Sequence, residues 1–166
     1  MGTKLLTILF LTILTSTIST PISPSPSPSS SPFTTLTQQN TYSTFIKTSC
    51  SSATYPTACQ KSLLPYASTV QTNPLKLTTA ALSATLKSAN TTLSTVTHLS
   101  KTKQITKWEA AVLKDCIEDI KDSIDEIKSS IKEINGVSLS ADKRFAISNA
   151  QTWTSAAITD ENSCLN

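Results

Sequence analysis

Glycine is scarce, with two in 166 residues. The sequence accordingly has no glycine-rich phosphate loop and no nucleophile elbow. Histidine occurs once, as His98, and Cys50, Cys59 and Cys116 are widely spaced, so neither a zinc site nor any other metal cluster is expected. Only 15% of the residues are charged and the net charge is +3. No Arg/Lys run interleaves with aromatics, which excludes a nucleic-acid footprint. Beyond the first twenty residues no run is apolar enough to span a bilayer. Without a catalytic constellation or a cofactor motif, the sequence points away from an enzyme.

What the chain has instead is helical periodicity. Over Thr106–Ile134 the residues Leu113, Ile117, Ile120, Ile124, Ile127, Ile131 and Ile134 recur at alternating spacings of four and three. That heptad stripe predicts one long helix with a face buried against other helices. Thr106-Lys-Trp-Glu109 fits a capping box, and Asn135-Gly136 is expected to end the helix in left-handed conformations. This stretch holds eight acids against five lysines, whereas residues 74–103 hold four lysines and no acid. Its carboxylates, spread beside lysines, read as a solvated face rather than an acid–base pair.

The start of the chain reads differently. Lys4 followed by the apolar run Leu5–Leu14 predicts a signal peptide over residues 1–20, and hence a secreted protein with no membrane attachment after cleavage. Residues 21–40 carry Ser-Pro repeats, which favour an extended polyproline II spacer and resemble the O-glycosylated segments of plant cell-wall proteins. The domain proper is expected over 41–166. Within it, Tyr42, Phe45 and Ile46 predict a short helix ahead of Cys50. Pro56 starts a return helix carrying Cys59, Leu63 and Leu64.

Asn73-Pro74 predicts a second start, with Leu75, Leu82, Leu86, Ala89, Leu93 and Val96 forming a stripe to about Lys101. His98 near its end reads as a surface residue complementing the helix dipole. Asn90-Thr-Thr92 is the one N-glycosylation sequon. A last helix is expected over about Ala141–Ile158, with Ala146, Ala150, Trp153 and Ala157 facing the core. A turn at Thr159–Asn162 should then lead to Cys164.

An even cysteine count behind a secretion signal reads as two disulfides, for which three connectivities exist. A Cys50–Cys59 bridge would close the small hairpin, contributing ~2.5–3 kcal/mol in the chain-entropy model. An antiparallel last helix would return Cys164 to the level of Cys116. That pairing would contribute ~4 kcal/mol. Bundles of this kind usually have four long helices, one more than the sequence carries up to Asn166, so a C-terminally truncated chain is expected.

Three segments together resemble the plant invertase/pectin methylesterase inhibitor family. They are Cys50-Ser-Ser-Ala-Thr-Tyr-Pro-Thr-Ala-Cys59, Leu113-Lys-Asp-Cys116-Ile-Glu-Asp119, and the run from Asn149 through Trp153 and Asp160 to Cys164. The resemblance covers about Tyr42 to Asn166. It implies an all-α, up-and-down four-helix bundle with an N-terminal helical hairpin and the pairings Cys50–Cys59 and Cys116–Cys164. It also implies a secreted inhibitor of the apoplast and cell wall, without cofactor. Such an inhibitor would cover the pectin-binding cleft of a pectin methylesterase in a one-to-one complex.

The run Gln151–Asp160 is most similar to pectin methylesterase inhibitors. Invertase inhibitors carry Pro-Lys-Phe where this chain has Lys143-Arg144-Phe145, so acid invertase is the second candidate partner. The pro-region of a pectinesterase and a non-inhibitory cell-wall bundle are further alternatives. The expected contact residues are Asp122 and Asp125 on the long helix and the uncharged face Ser148, Gln151, Thr152 and Ser155 on the last.

Overall fold

The computed structural model describes residues 32–102 and 105–165. The expected signal peptide and the Ser-Pro run up to residue 31 lie outside them. Helix α1 spans Pro32–Cys50. It therefore includes residues 32–40, expected to be extended. Pro32 is the last proline before Pro56, so nothing upstream of the packed end at Tyr42–Cys50 stops the helix until its first residue, where proline is tolerated. Leu36–Thr41 are all exposed and add nothing to the core.

The chain returns through α2 (Pro56–Leu63), a 3₁₀ turn (Leu64–Tyr66) and the short α3 (Ala67–Val70). Ile46, Cys50, Leu63, Ala67 and Val70 are buried together, and the Cys50–Cys59 disulfide closes the hairpin. A core of five residues is small, so the covalent staple carries a large share of this element's stability.

Asn73 begins α4 (Pro74–Leu99), its side-chain oxygen accepting the Lys76 N–H at 3.1 Å. Two faces of α4 are occupied. Leu82, Ala89 and Val96, flanked by Leu75, Leu86 and Leu93, meet the long helix as expected. Leu77, Ala80 and Ala81 hold the hairpin.

The long helix α5 runs from Lys107 to Gly136, about 45 Å at 1.5 Å per residue. Both arms of its capping box form: the Thr106 N–H donates to Glu109 Oε2 at 2.7 Å, and Thr106 Oγ1 accepts the Glu109 N–H at 3.2 Å. The backbone bond from Thr106, then the bond from its hydroxyl, hold the Glu109 carboxyl below its usual range. The isoleucine seam is the core, with Ile120, Ile124, Ile127 and Ile134 buried and Leu113, Ile117 and Ile131 packed at its margins. The left-handed ending at Asn135-Gly136 is not found. Gly136 stays in the helix, no glycine of the described residues has positive φ, and Val137 continues right-handed with its N–H on the Ile134 carbonyl. Val137 is buried, and its packing keeps the turn tight where an αL cap would swing it out.

Asp142 starts α6 (Lys143–Leu165), its Oδ1 accepting the Phe145 N–H at 3.0 Å. The expected turn at Thr159–Asn162 is helix instead. Thr159 Oγ1 bonds the Ser155 carbonyl and Ser163 Oγ the Thr159 carbonyl, each at 3.0–3.1 Å, so these polar side chains fold back on the helix rather than break it.

Contacts fix the directions. Thr79 of α4 meets Asn135 of α5, so these helices are antiparallel, as are α5 and α6 through Ser130–Ala150, Ser123–Glu161 and the Cys116–Cys164 disulfide. The structure is thus an all-α, up-and-down bundle with α5 packed between α4 and α6 and the hairpin carried on α4.

Candidate partner-binding surface

The α5/α6 contact is built from small residues. Ser123 and Ser130 are fully buried on α5, and Ala146, Ala150 and Ala157 are buried on α6. Ser130 Oγ reaches the Ala150 carbonyl at 2.9 Å, a side chain bonding the neighbouring helix's backbone directly. Helices this close leave no room for an indole between them. Trp153, expected in the core, is accordingly displaced to the flank and 41% exposed.

There it joins Asp122, Asp125, Glu126 and Ser129 of α5 and Asp160 of α6 in an open cleft of about 340 Å³. Asp122 and Asp125 are exposed as expected, and Asp125 holds Lys128 at 2.7 Å. Glu126 differs from its neighbours because its Oε2 has no exposed surface and no hydrogen-bond partner. Withdrawal from water, then a hydrogen bond with Asp160, then the charges of Asp160 and Asp122 push its carboxyl above the usual range.

Ser148, Gln151, Thr152 and Ser155 are exposed on α6. At 100° per residue they cluster opposite the buried alanines, with Trp153 about 140° round the helix from Ser148. The two halves of the expected surface therefore do not meet in one cleft. Thr152 and Ser155 also donate their hydroxyl protons to the carbonyls of Ser148 and Gln151, at 3.0 and 2.9 Å. What they offer a partner is acceptor lone pairs. Sequence reasoning missed Trp153 and Asp160, and the signal was the alanine spacing: three alanines on one helix face imply an approach too close for tryptophan at the same seam.

A second open trough, about 740 Å³, runs between the hairpin tip at Tyr55, α4 at Thr85 and Ser88, and α6 at Ile158 and Glu161. At the start of α6, Phe145 is 64% exposed next to Lys143 and Arg144. Asn90 is exposed on α4, with its side-chain amide donating to the Leu86 carbonyl at 2.7 Å. No helix of the described residues is long and apolar enough to cross a membrane.

Comparison with known proteins sets this surface in a family. Pectinesterase inhibitor 4 of Arabidopsis thaliana is 44% identical over 140 residues, covering 80% of this chain and 69% of that protein. Pectinesterase inhibitor 11 of the same plant is 38% identical over 139 residues, covering 82% and 68%. The 21 kDa protein of Daucus carota is 39% identical over 123 residues, covering 73% and 64%. Against another relative, pectinesterase inhibitor 10 of Arabidopsis thaliana, the chain spans 39% of the length. No solved structure matches. The sequence model described as plant invertase/pectin methylesterase inhibitor matches residues 44–166, from the middle of α1 through all of α6, and the chain belongs to that family.

Proposed function

We propose that the protein is a secreted inhibitor of pectin methylesterase, acting by a one-to-one complex that covers the enzyme's pectin-binding cleft, and not itself an enzyme. The observation that carries this reading is the similarity to relatives named pectinesterase inhibitors along most of the chain. The α5/α6 flank fits such a role. Trp153 offers a rigid apolar anchor with a polar N–H, the kind of side chain that dominates binding energy at protein interfaces. Asp122 and Asp125 around it supply negative charge for a basic rim on the enzyme. The Ser148, Gln151, Thr152 and Ser155 face adds hydrogen-bonding groups, of which Thr152 and Ser155 present acceptors with their hydroxyl protons already bonded within the helix.

The contact predicts its own mutational signature. Trp153→Ala should weaken inhibition of the esterase at least tenfold. Asp122→Lys with Asp125→Lys should lower affinity mainly through association rate, with an effect that shrinks as salt is raised. Inhibition constants unchanged in both variants would remove this flank from the interface. Acid invertase is the second reading, favoured by the exposed Phe145 beside Arg144 at the start of α6.

Residues 1–20 act as the cleaved signal in this account, with 21–40 a spacer ahead of the domain over 41–166. The protein then resides in the apoplast and cell wall, with Asn90 glycosylated on the outer face of α4. Digestion of the plant-expressed protein with an endoglycosidase should raise its gel mobility, and Asn90→Gln should abolish that change.

A further inference from the structure

The two clefts flanking the α5/α6 seam are lined by carboxyl groups and, among the described residues, by no lysine, arginine or histidine. Glu126 shares its cleft with Asp122 and Asp125 of its own helix and with Asp160 of α6; Ser129 and Trp153 complete the lining, and no titratable group of α4 enters it. Lys128 is engaged with Asp125 on the exposed side. On the opposite flank Glu161 turns its carboxyl toward buried Ser123, whose hydroxyl is 3.5 Å away. Among the residues lining that trough the other ionisable group is Tyr55.

Glu126 and Asp160 are the critical pair. Both line the same small cleft, where Glu126 Oε2 is sealed from water without a hydrogen-bond partner. Two carboxylates so placed repel, and only a proton between them turns the contact into a bond. Among the described residues no lysine, arginine or histidine lines the cleft to offset that buried oxygen. We propose that the Glu126–Asp160 carboxyl pair is a proton-dependent latch between α5 and α6, closed by one shared proton in acid and opened by charge repulsion toward neutral pH. The Cys116–Cys164 disulfide lies at the same end of α6 and keeps the helix tethered, so opening loosens the seam without releasing it.

The sign follows from linkage. Glu126 has a folded-state pKa above its ordinary value of 4.5, so the folded chain holds a proton that the unfolded chain has lost. Its stabilisation is complete below 4.5 and disappears as pH rises through the raised value. Glu161 is moved the same way by partial loss of water, against the opposing bond from Ser123. Glu109, at the far end of α5, works in the other sense and below 4.5.

The test is thermal unfolding of the oxidised chain from pH 4.5 to 7.0 in wild type, Glu126→Gln and Asp160→Asn. Wild type should lose about 3–5 °C of Tm across the range. Either amide supplies a hydrogen-bond donor at every pH, so both variants should lose clearly less Tm than wild type, keeping only the slope that Glu161 contributes. Variants that keep the wild-type slope would overturn the latch. Carbon-detected NMR titration of the wild-type Glu126 carboxyl gives a reading independent of any variant's folding. A midpoint above 4.5 supports the proposal, and one at or below 4.5 overturns it.

Discussion

Ser130 is fully buried between α5 and α6, where its hydroxyl lies 2.9 Å from both the Ala150 carbonyl and the Thr154 hydroxyl. Ser130→Val adds methyl groups where the helices already touch and removes the bond, so it should cost about 2–3 kcal/mol in urea unfolding. Ser130→Ala removes the bond alone and should cost about 1 kcal/mol. The same closeness explains why Trp153 was misread from the sequence. Helical spacing places residue 153 at the edge of the core stripe, but periodicity says nothing of how near the next helix comes. That distance is set by Ser123, Ser130 and the three alanines together, which a single-helix pattern does not contain. The structure therefore predicts that Trp153→Ala costs only about 1 kcal/mol in stability, against about 3–5 for a core tryptophan. Gln71 is a different case, since it holds φ at 56° in the link before α4 with no sequence sign of it. A β-branched residue there should be worse than glutamine by about 1–2 kcal/mol, so Gln71→Val should lower the urea midpoint and Gln71→Gly should not.

At the scale of elements, the starts of α2, α4 and α5 were legible, whereas the start of α1, the conformation that ends α5 and the extent of α6 were not. Asn73, Thr106 and Glu109 cap where their side chains bond the first free amides, a contact local in sequence. Asn73→Ala should cost about 1 kcal/mol in urea unfolding. Ends depend on what the next residues pack against, and buried Val137 overrules the glycine signal at Gly136. The extent of α6 was hidden for a related reason. Thr159–Asn162 has turn composition, but the disulfide from Cys164 to Cys116 and the approach of Asp160 and Glu161 to α5 hold those residues in register as helix. The hairpin follows the cysteine arithmetic directly. Replacing Cys50 and Cys59 by serine should destabilise it by about 2.5–3 kcal/mol, read as early loss of protection in hydrogen exchange over α1–α3 while α5 stays protected.

The whole molecule is organised by α5, whose isoleucine seam could be read from the sequence and became the core, with Leu113, Ile117 and Ile131 at its margins. What surrounds that seam was less visible. The two faces of α4, one for the hairpin and one for α5, emerge only when the elements are docked. The proposed partner surface likewise divides into an acidic, Trp153-bearing cleft and a separate hydroxyl-rich face, although the sequence suggested one continuous patch. Both halves are rigidly mounted on disulfide-linked helices, which favours binding by a preformed surface over folding on contact. The central claim is that this surface stops a pectin methylesterase. The most direct measurement titrates the oxidised, cooperatively folded chain into a fixed amount of that enzyme and follows ester hydrolysis, with an acid invertase assayed in parallel. The account predicts that esterase activity falls linearly to its floor at one equivalent while invertase activity is unchanged. Full esterase activity in the presence of excess folded chain would contradict it.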